Sequence, residues 1–200
     1  MPTQTPFSSD FTGATDPGLT PIPFTSVVET SGNICDYTAT GGKSGGPGML
    51  VSYAGVSANS YGEVNEGWSI DPTGKVFTCI INVNFGILPF IGLNNQSITL
   101  ARVYGSGGVV FAIQYAKTSI PVGVFRISDS EHAASAAGTT TVLASTWYEV
   151  KAVIDATLGS ESVTLYVDGV QEAQNLAVGA FTRVVNALRF GSFLATGVPV

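Results

Sequence analysis

Apolar and polar residues alternate one for one along much of this chain, most clearly from Thr146 to Gln174. Val150, Ala152 and Ile154 fall on one side of that run, and Glu149, Lys151 and Asp155 fall on the other. Successive side chains of a strand point to opposite faces, so this period predicts a strand with one buried and one wetted side. After a polar stretch from Leu158 to Glu161, Val163, Leu165 and Val167 alternate with Thr164, Tyr166 and Asp168. Asp168-Gly169 then separates Tyr166-Val167 from Val170-Gln171. An Asp-Gly pair between two strands favours a two-residue hairpin turn whose central residues both take positive φ.

The same reading predicts strands over residues 25–30, 34–39, 49–54, 75–85, 98–104, 109–117, 121–128 and 186–191. In the fourth of these, Phe77, Cys79, Ile81, Val83 and Phe85 share a face. In the fifth, Ile98, Leu100, Arg102 and Tyr104 are expected opposite Thr99, Ala101 and Val103. Gly41 to Gly48 reads as a loop, Asn59 as the centre of a polar turn, and Gly105 to Gly108 as a turn between strands. Only Glu131 to Ala137 offers a turn of helix. Many short strands with Gly-rich turns imply an all-β, two-sheet antiparallel β-sandwich of the jelly-roll kind.

Composition adds a functional hint. Charged residues are 11% of the chain, against roughly 25% in an ordinary soluble domain. A surface so poor in charge suggests an assembly subunit, covered by partners. The net charge of −6, with eight scattered basic residues, argues against nucleic acid, whose phosphates call for clustered Lys and Arg. The most apolar window, Phe85 to Leu93, is broken by Gly86, Pro89 and Gly92 and falls well short of the ~20 residues of a membrane span. The first residues carry neither a basic nor an apolar leader segment, so no signal peptide is expected. Five of the ten prolines lie in the first 23 residues. Residues 1–24 are therefore expected as an extended arm, and 25–200 as one sandwich domain whose opening edge strand starts as early as 9–12. Cys79 falls on an apolar face and is expected as a buried free thiol, with a single disulfide to Cys35 as the alternative.

The string Trp147-x-x-Val150-x-Ala152-x-Ile154-Asp155, followed by Leu165-Tyr166-Val167-Asp168-Gly169, resembles the hairpin of concanavalin-A-like and laminin-G-like jelly-roll domains. Ser9-Asp10-Phe11 and Leu188-Arg189-Phe190-Gly191-Ser192 extend the resemblance over most of the chain. It implies the lectin/glucanase fold. These motifs are shared by lectins, glycosidases, adhesion modules and virion proteins, so they imply architecture rather than activity. Family members usually continue past the last motif with a strand carrying an acidic pair; here no acidic residue follows Glu172. The final strand is thus expected to be absent, very short or supplied by another chain. An edge left open near Val200 would favour a homo-oligomer, for instance a trimer. Some members hold calcium, and Asp155 and Asp168 are the acids within the matching motif; a turn and a strand end account for both, so no cofactor is expected.

Candidate chemistry is sparse. Glycosidases of this fold carry Glu-x-Asp-x-x-Glu on one strand, and lyases a Gln-x-His; neither string occurs. Glu63 and Glu66 are three apart and would face opposite sides of a strand. Gly41-Gly42-Lys43-Ser44 lacks the first glycine of a phosphate loop. Asp129, Glu131 and His132 form the one cluster with metal-binding or acid–base chemistry, set against a plain polar loop. Asn95-Gln96-Ser97 matches a glycosylation acceptor and reads as a loop. Trp68 and Trp147 read as packing residues. A concave polar face would present Asn82, Asn84, Arg102, Tyr104, Gln114 and Arg126, whose paired donors and acceptors suit sugar hydroxyls. The sequence therefore points to a non-catalytic display or assembly protein, foremost a virion (phage capsid decoration or cement) subunit at the virion surface or outside the cell. Its expected partners are itself, a capsid shell protein and glycans. A carbohydrate-binding lectin-like module is the alternative, and a glycan hydrolase or lyase the third reading.

Overall fold

The structure, a computed structural model, describes residues 26–29, 34–38, 40, 43–45, 48–52, 59–64, 69–86, 88, 97–117, 123–176 and 179–195. In chain order the strands are β1 (Ser26–Glu29), β2 (Ile34–Thr38), β3 (Gly48–Ser52), β4 (Asn59–Val64), β5 (Val76–Asn84), β6 (Ser97–Gly105), β7 (Gly108–Lys117), β8 (Gly123–Asp129), β9 (Ala134–Thr141), β10 (Trp147–Asp155), β11 (Ser162–Val167), β12 (Val170–Leu176) and β13 (Val185–Ala195). They form a seven-stranded sheet in the order β1-β4-β13-β6-β7-β8-β9 and a four-stranded sheet in the order β12-β11-β10-β5, with β2 and β3 as a separate hairpin. All pairings are antiparallel. This is the expected all-β sandwich. The arm 1–24, with its Asp10-Phe11, lies outside the described residues, as do Trp68, Asn95 and the side chain of Cys35.

The Asp168-Gly169 turn forms as its residues require, with φ of 48° and 81°. It sets the register of β11 on β12 from Val167↔Val170, while β10 pairs the other side of β11 from Val150↔Val167 to Asp155↔Ser162, placing Val150, Ala152, Ile154, Val163, Leu165 and Val167 on one inner face. Phe111, Ile113, Tyr115, Phe125 and Ile127 answer them from the seven-stranded sheet, and together they form the core. Phe125 stands edge-on to Tyr148 across the two sheets, with centroids 5.4 Å apart. Cys79 is a free, buried thiol on the core side of β5, its pKa pushed up to about 12 by burial.

Four expectations need correcting. The open edge expected near Val200 does not lie at β13, which runs between β4 and β6 and is paired on both sides, and residues 196–200 lie outside the described residues. The apolar residues at its inner face, Leu188 and Phe190, pack against the core. Glu131 to Ala137 is not helical. Residues 130–133 form a tight turn with Ala133 at φ 55°, and β9 then alternates half-buried Ala134, Ala136, Gly138 and Thr140 with exposed neighbours. Asn59 opens a strand rather than centring a turn. In β6 the register shifts at Leu100. One inserted residue flips the following side chains, so Ile98, Ala101 and Val103 face inward while Arg102 pairs with Ala112 on the outer face.

One margin of the sandwich is closed by Glu172 of β12. Its carboxylate accepts hydrogen bonds from the backbone N–H and hydroxyl groups of both Thr139 and Thr140 in β9. A Cβ at Gly138 would stand 2.9 Å from the Glu172 carboxylate, so only glycine leaves room for this staple. Burial raises the Glu172 pKa, but the bonds from Thr140 and Thr139 outweigh it and hold the carboxyl below its ordinary value. A depressed carboxyl pKa stabilises the fold above the unfolded-state value and loses that contribution as pH falls through the folded-state value. Because the group is largely exposed, the contribution is expected to be about 1 kcal/mol or less. Urea unfolding at pH 7 and pH 3 should therefore show a smaller acid-induced loss in Glu172→Gln than in the wild type. Equal losses would contradict the staple's role.

Candidate functional site

Most acidic side chains among the described residues are held by backbone N–H groups. Asp71 and Asp155 each cap a backbone N–H two residues on, at Thr73 and Thr157. Asp168 accepts from the Glu149 N–H, and Glu161 from that of Gly159. Asp129 ends β8 on its inner side, 2% exposed. It accepts from the backbone N–H groups of Glu131 and His132 and contacts His132 Nδ1 at 2.6 Å. His132 Nε2 lies 3.2 Å from the Ala180 carbonyl, and its ring stands edge-on to Phe181. Glu131 reaches the backbone N–H groups of Thr182 and Arg183. The Asp129–Glu131–His132 cluster thus ties the β8–β9 turn to the segment before β13. It is a clamp, and among the described residues no group of three acidic, His or Cys side chains is arranged to hold a metal ion.

The expected glycan face is divided by the fold. Asn82 and Asn84 belong to β5 in the four-stranded sheet, where the Asn82 amide oxygen accepts from Lys43 Nζ. Arg102, Tyr104, Gln114 and Arg126 belong to the other sheet, on β6, β7 and β8. Those four do share the outer face, in two neighbouring groups. Arg102 and Tyr104 are half-buried and touch through Nη1 and the phenol oxygen at 3.5 Å. The Arg189 guanidinium lies 4.0 Å over the Tyr104 ring and is paired with Glu63. This places a mixed cationic and aromatic strip across β4, β13 and β6.

Gln114 and Arg126 are instead buried, 5% and 1% exposed. Arg126 Nε donates to Gln114 Oε1 at 2.8 Å, and Nη2 donates to Ser97 Oγ at 3.1 Å. Gln114 Nε2 donates to Thr99 Oγ1 at 3.2 Å. Burial lowers the Arg126 pKa from its ordinary value. Sequence reasoning missed Ser97, Thr99, Arg189 and Glu63. Ser97 was hidden in a string read as a loop, and Arg189 in a motif read as scaffold; the only available signal was their polar character.

Compared with protein-family models and with curated proteins, the chain matches none. Among solved structures it is similar to a sialidase, at 14% identity and a TM-score of 0.43, over 72% of this chain and 11% of that one. A likeness that loose carries no argument about activity.

Proposed function

We propose that this protein is a non-catalytic module that works by association, a concanavalin-A-like jelly roll displayed on a surface, foremost that of a virion. The observation that carries this reading is β5. Among the described residues it ends the four-stranded sheet; it runs for nine residues without a charged residue or a proline, and leaves Val76 and Ile80 60% and 51% exposed. Edge strands of soluble proteins are ordinarily blunted by Lys, Pro or bulges, because a flat neutral edge recruits another strand. The occupant is a second copy, since antiparallel pairing of β5 with itself sets no like charges opposite each other. Engagement of the Asp129, Glu131 and Glu172 carboxylates in clamps and of Asp71 and Asp155 in caps supports a non-catalytic reading.

Ile80 lies opposite Lys151 within the sheet, so Ile80→Glu adds a favourable neighbour to the monomer and a repelling pair to the dimer. Light scattering should find the wild type oligomeric at micromolar concentration and Ile80→Glu shifted to monomer. A monomeric wild type would overturn the proposal.

A second reading, glycan binding, is favoured by the half-exposed Arg102, Tyr104 and Arg189 strip. It predicts a binder on a glycan array that Arg102→Ala weakens. An array without a binder removes it.

A further inference from the structure

The free hydrogen-bonding groups of β5 form a fixed set. Along a strand the N–H and C=O of one residue point to the same side, and those of the next residue to the other. The Lys75 carbonyl accepts from the Ala156 N–H at 2.8 Å, and the Phe85 carbonyl from the Ser145 N–H at 2.7 Å. Both ends of β5 thus turn their odd-numbered residues toward β10. The middle agrees: Asn82 stands opposite Glu149, whose own N–H and carbonyl are both engaged by Asp168. Val76, Thr78, Ile80, Asn82 and Asn84 therefore aim their backbone groups away from β10, to a side where no strand among the described residues pairs with them. The first four of these also carry exposed side chains. Lys151, opposite Ile80 on β10, lies the other way, 4.1 Å over the Tyr166 ring, and leaves Ile80 open.

We propose that β5 pairs with β5 of a second copy in one register, centred on Ile80. This register rests on the reading of the chain as a self-associating module and adds the geometry of the contact. A two-fold axis through Ile80 is the one antiparallel setting in which all five outward-facing residues find partners. Ile80 meets Ile80 of the second copy, Thr78 meets its Asn82, and Val76 meets its Asn84. Moving the axis to Cys79 leaves Asn84 without a partner, and moving it to Ile81 leaves Val76 without one. The side chains favour the same setting. The two Ile80 side chains cover each other across the axis. Asn82 Oδ1 accepts from Lys43 Nζ at 2.9 Å, so the amide nitrogen of Asn82 is the end left to donate to the Thr78 hydroxyl of the second copy.

Cysteine cross-linking reads the register. Residues that exchange both ladder bonds stand about 5.5 Å apart at Cα, within the span of a disulfide. The two copies of Thr78, four residues out of step, would stand about 14 Å apart, far beyond it. Under mild oxidation, at a concentration where the wild type is oligomeric, Ile80→Cys should give roughly tenfold more covalent dimer on a non-reducing gel than Thr78→Cys or Asn82→Cys alone. The double variant Thr78→Cys/Asn82→Cys keeps Ile80 and should cross-link as well as Ile80→Cys, which covers the case in which losing Ile80 itself weakens pairing. Wild type treated alike sets the background from Cys35 and Cys79. Cross-linking by Thr78→Cys alone, by Asn82→Cys alone or by none of the variants, in a protein that light scattering finds oligomeric, overturns the register and leaves association standing. A monomeric wild type overturns both.

Discussion

Phe125→Ala is expected to lower stability by about 3–5 kcal/mol, the range for deleting a large buried aromatic. Phe125 is 1% exposed and sits where the two sheets meet. Its ring stands edge-on to Tyr148 and at 6.4 Å from Phe85, so truncation removes contacts that join its sheet to the facing one. Tyr148 is itself fixed, since its phenol oxygen accepts from the Leu143 N–H, and it cannot swing into the void. Urea unfolding should show a lower midpoint with an unchanged slope, the sign of lost stability without a changed denatured state. A cost below about 1 kcal/mol would mean that the sheets do not close on this ring.

Asp129→Ala should cost about 2–4 kcal/mol, more than other turn substitutions. The carboxylate is buried and serves three donors, two backbone N–H groups and His132 Nδ1. Its removal strands them together and loosens the turn that Glu131 ties to Thr182 and Arg183. Asp129→Asn keeps one acceptor oxygen for the turn and should recover roughly half of that loss. The same urea titration measures both variants. Equal costs for Ala and Asn would show that the turn does not depend on the acceptor.

Much of the fold was legible because strand alternation and turn chemistry are local. The Asp168-Gly169 hairpin, the apolar face of β5 and the cap that Asp155 places on the Thr157 N–H all follow from neighbouring residues. What was not legible is non-local. Alternation assigns a residue to a face of its own strand, not to a sheet, so Asn82 and Asn84 were grouped with Arg102 although β5 and β6 lie in different sheets. A period-two reading also cannot register an inserted residue, which is why Leu100 and Arg102 were placed together. Burial of Arg126 escaped for a related reason: a polar residue opposite an apolar face reads as wetted, whatever covers it. The partners of β13 were not legible, because the strands that flank it, β4 and β6, are distant in sequence.

Association through β5 is tested most directly by amide hydrogen exchange along Val76 to Asn84 at two protein concentrations. On an edge strand, alternate amides have a ladder partner and the rest face solvent. Pairing of β5 with a second copy predicts that the solvent-facing amides become protected as concentration rises, and that Ile80→Glu removes this protection. Fast exchange of those amides at every concentration would contradict the account.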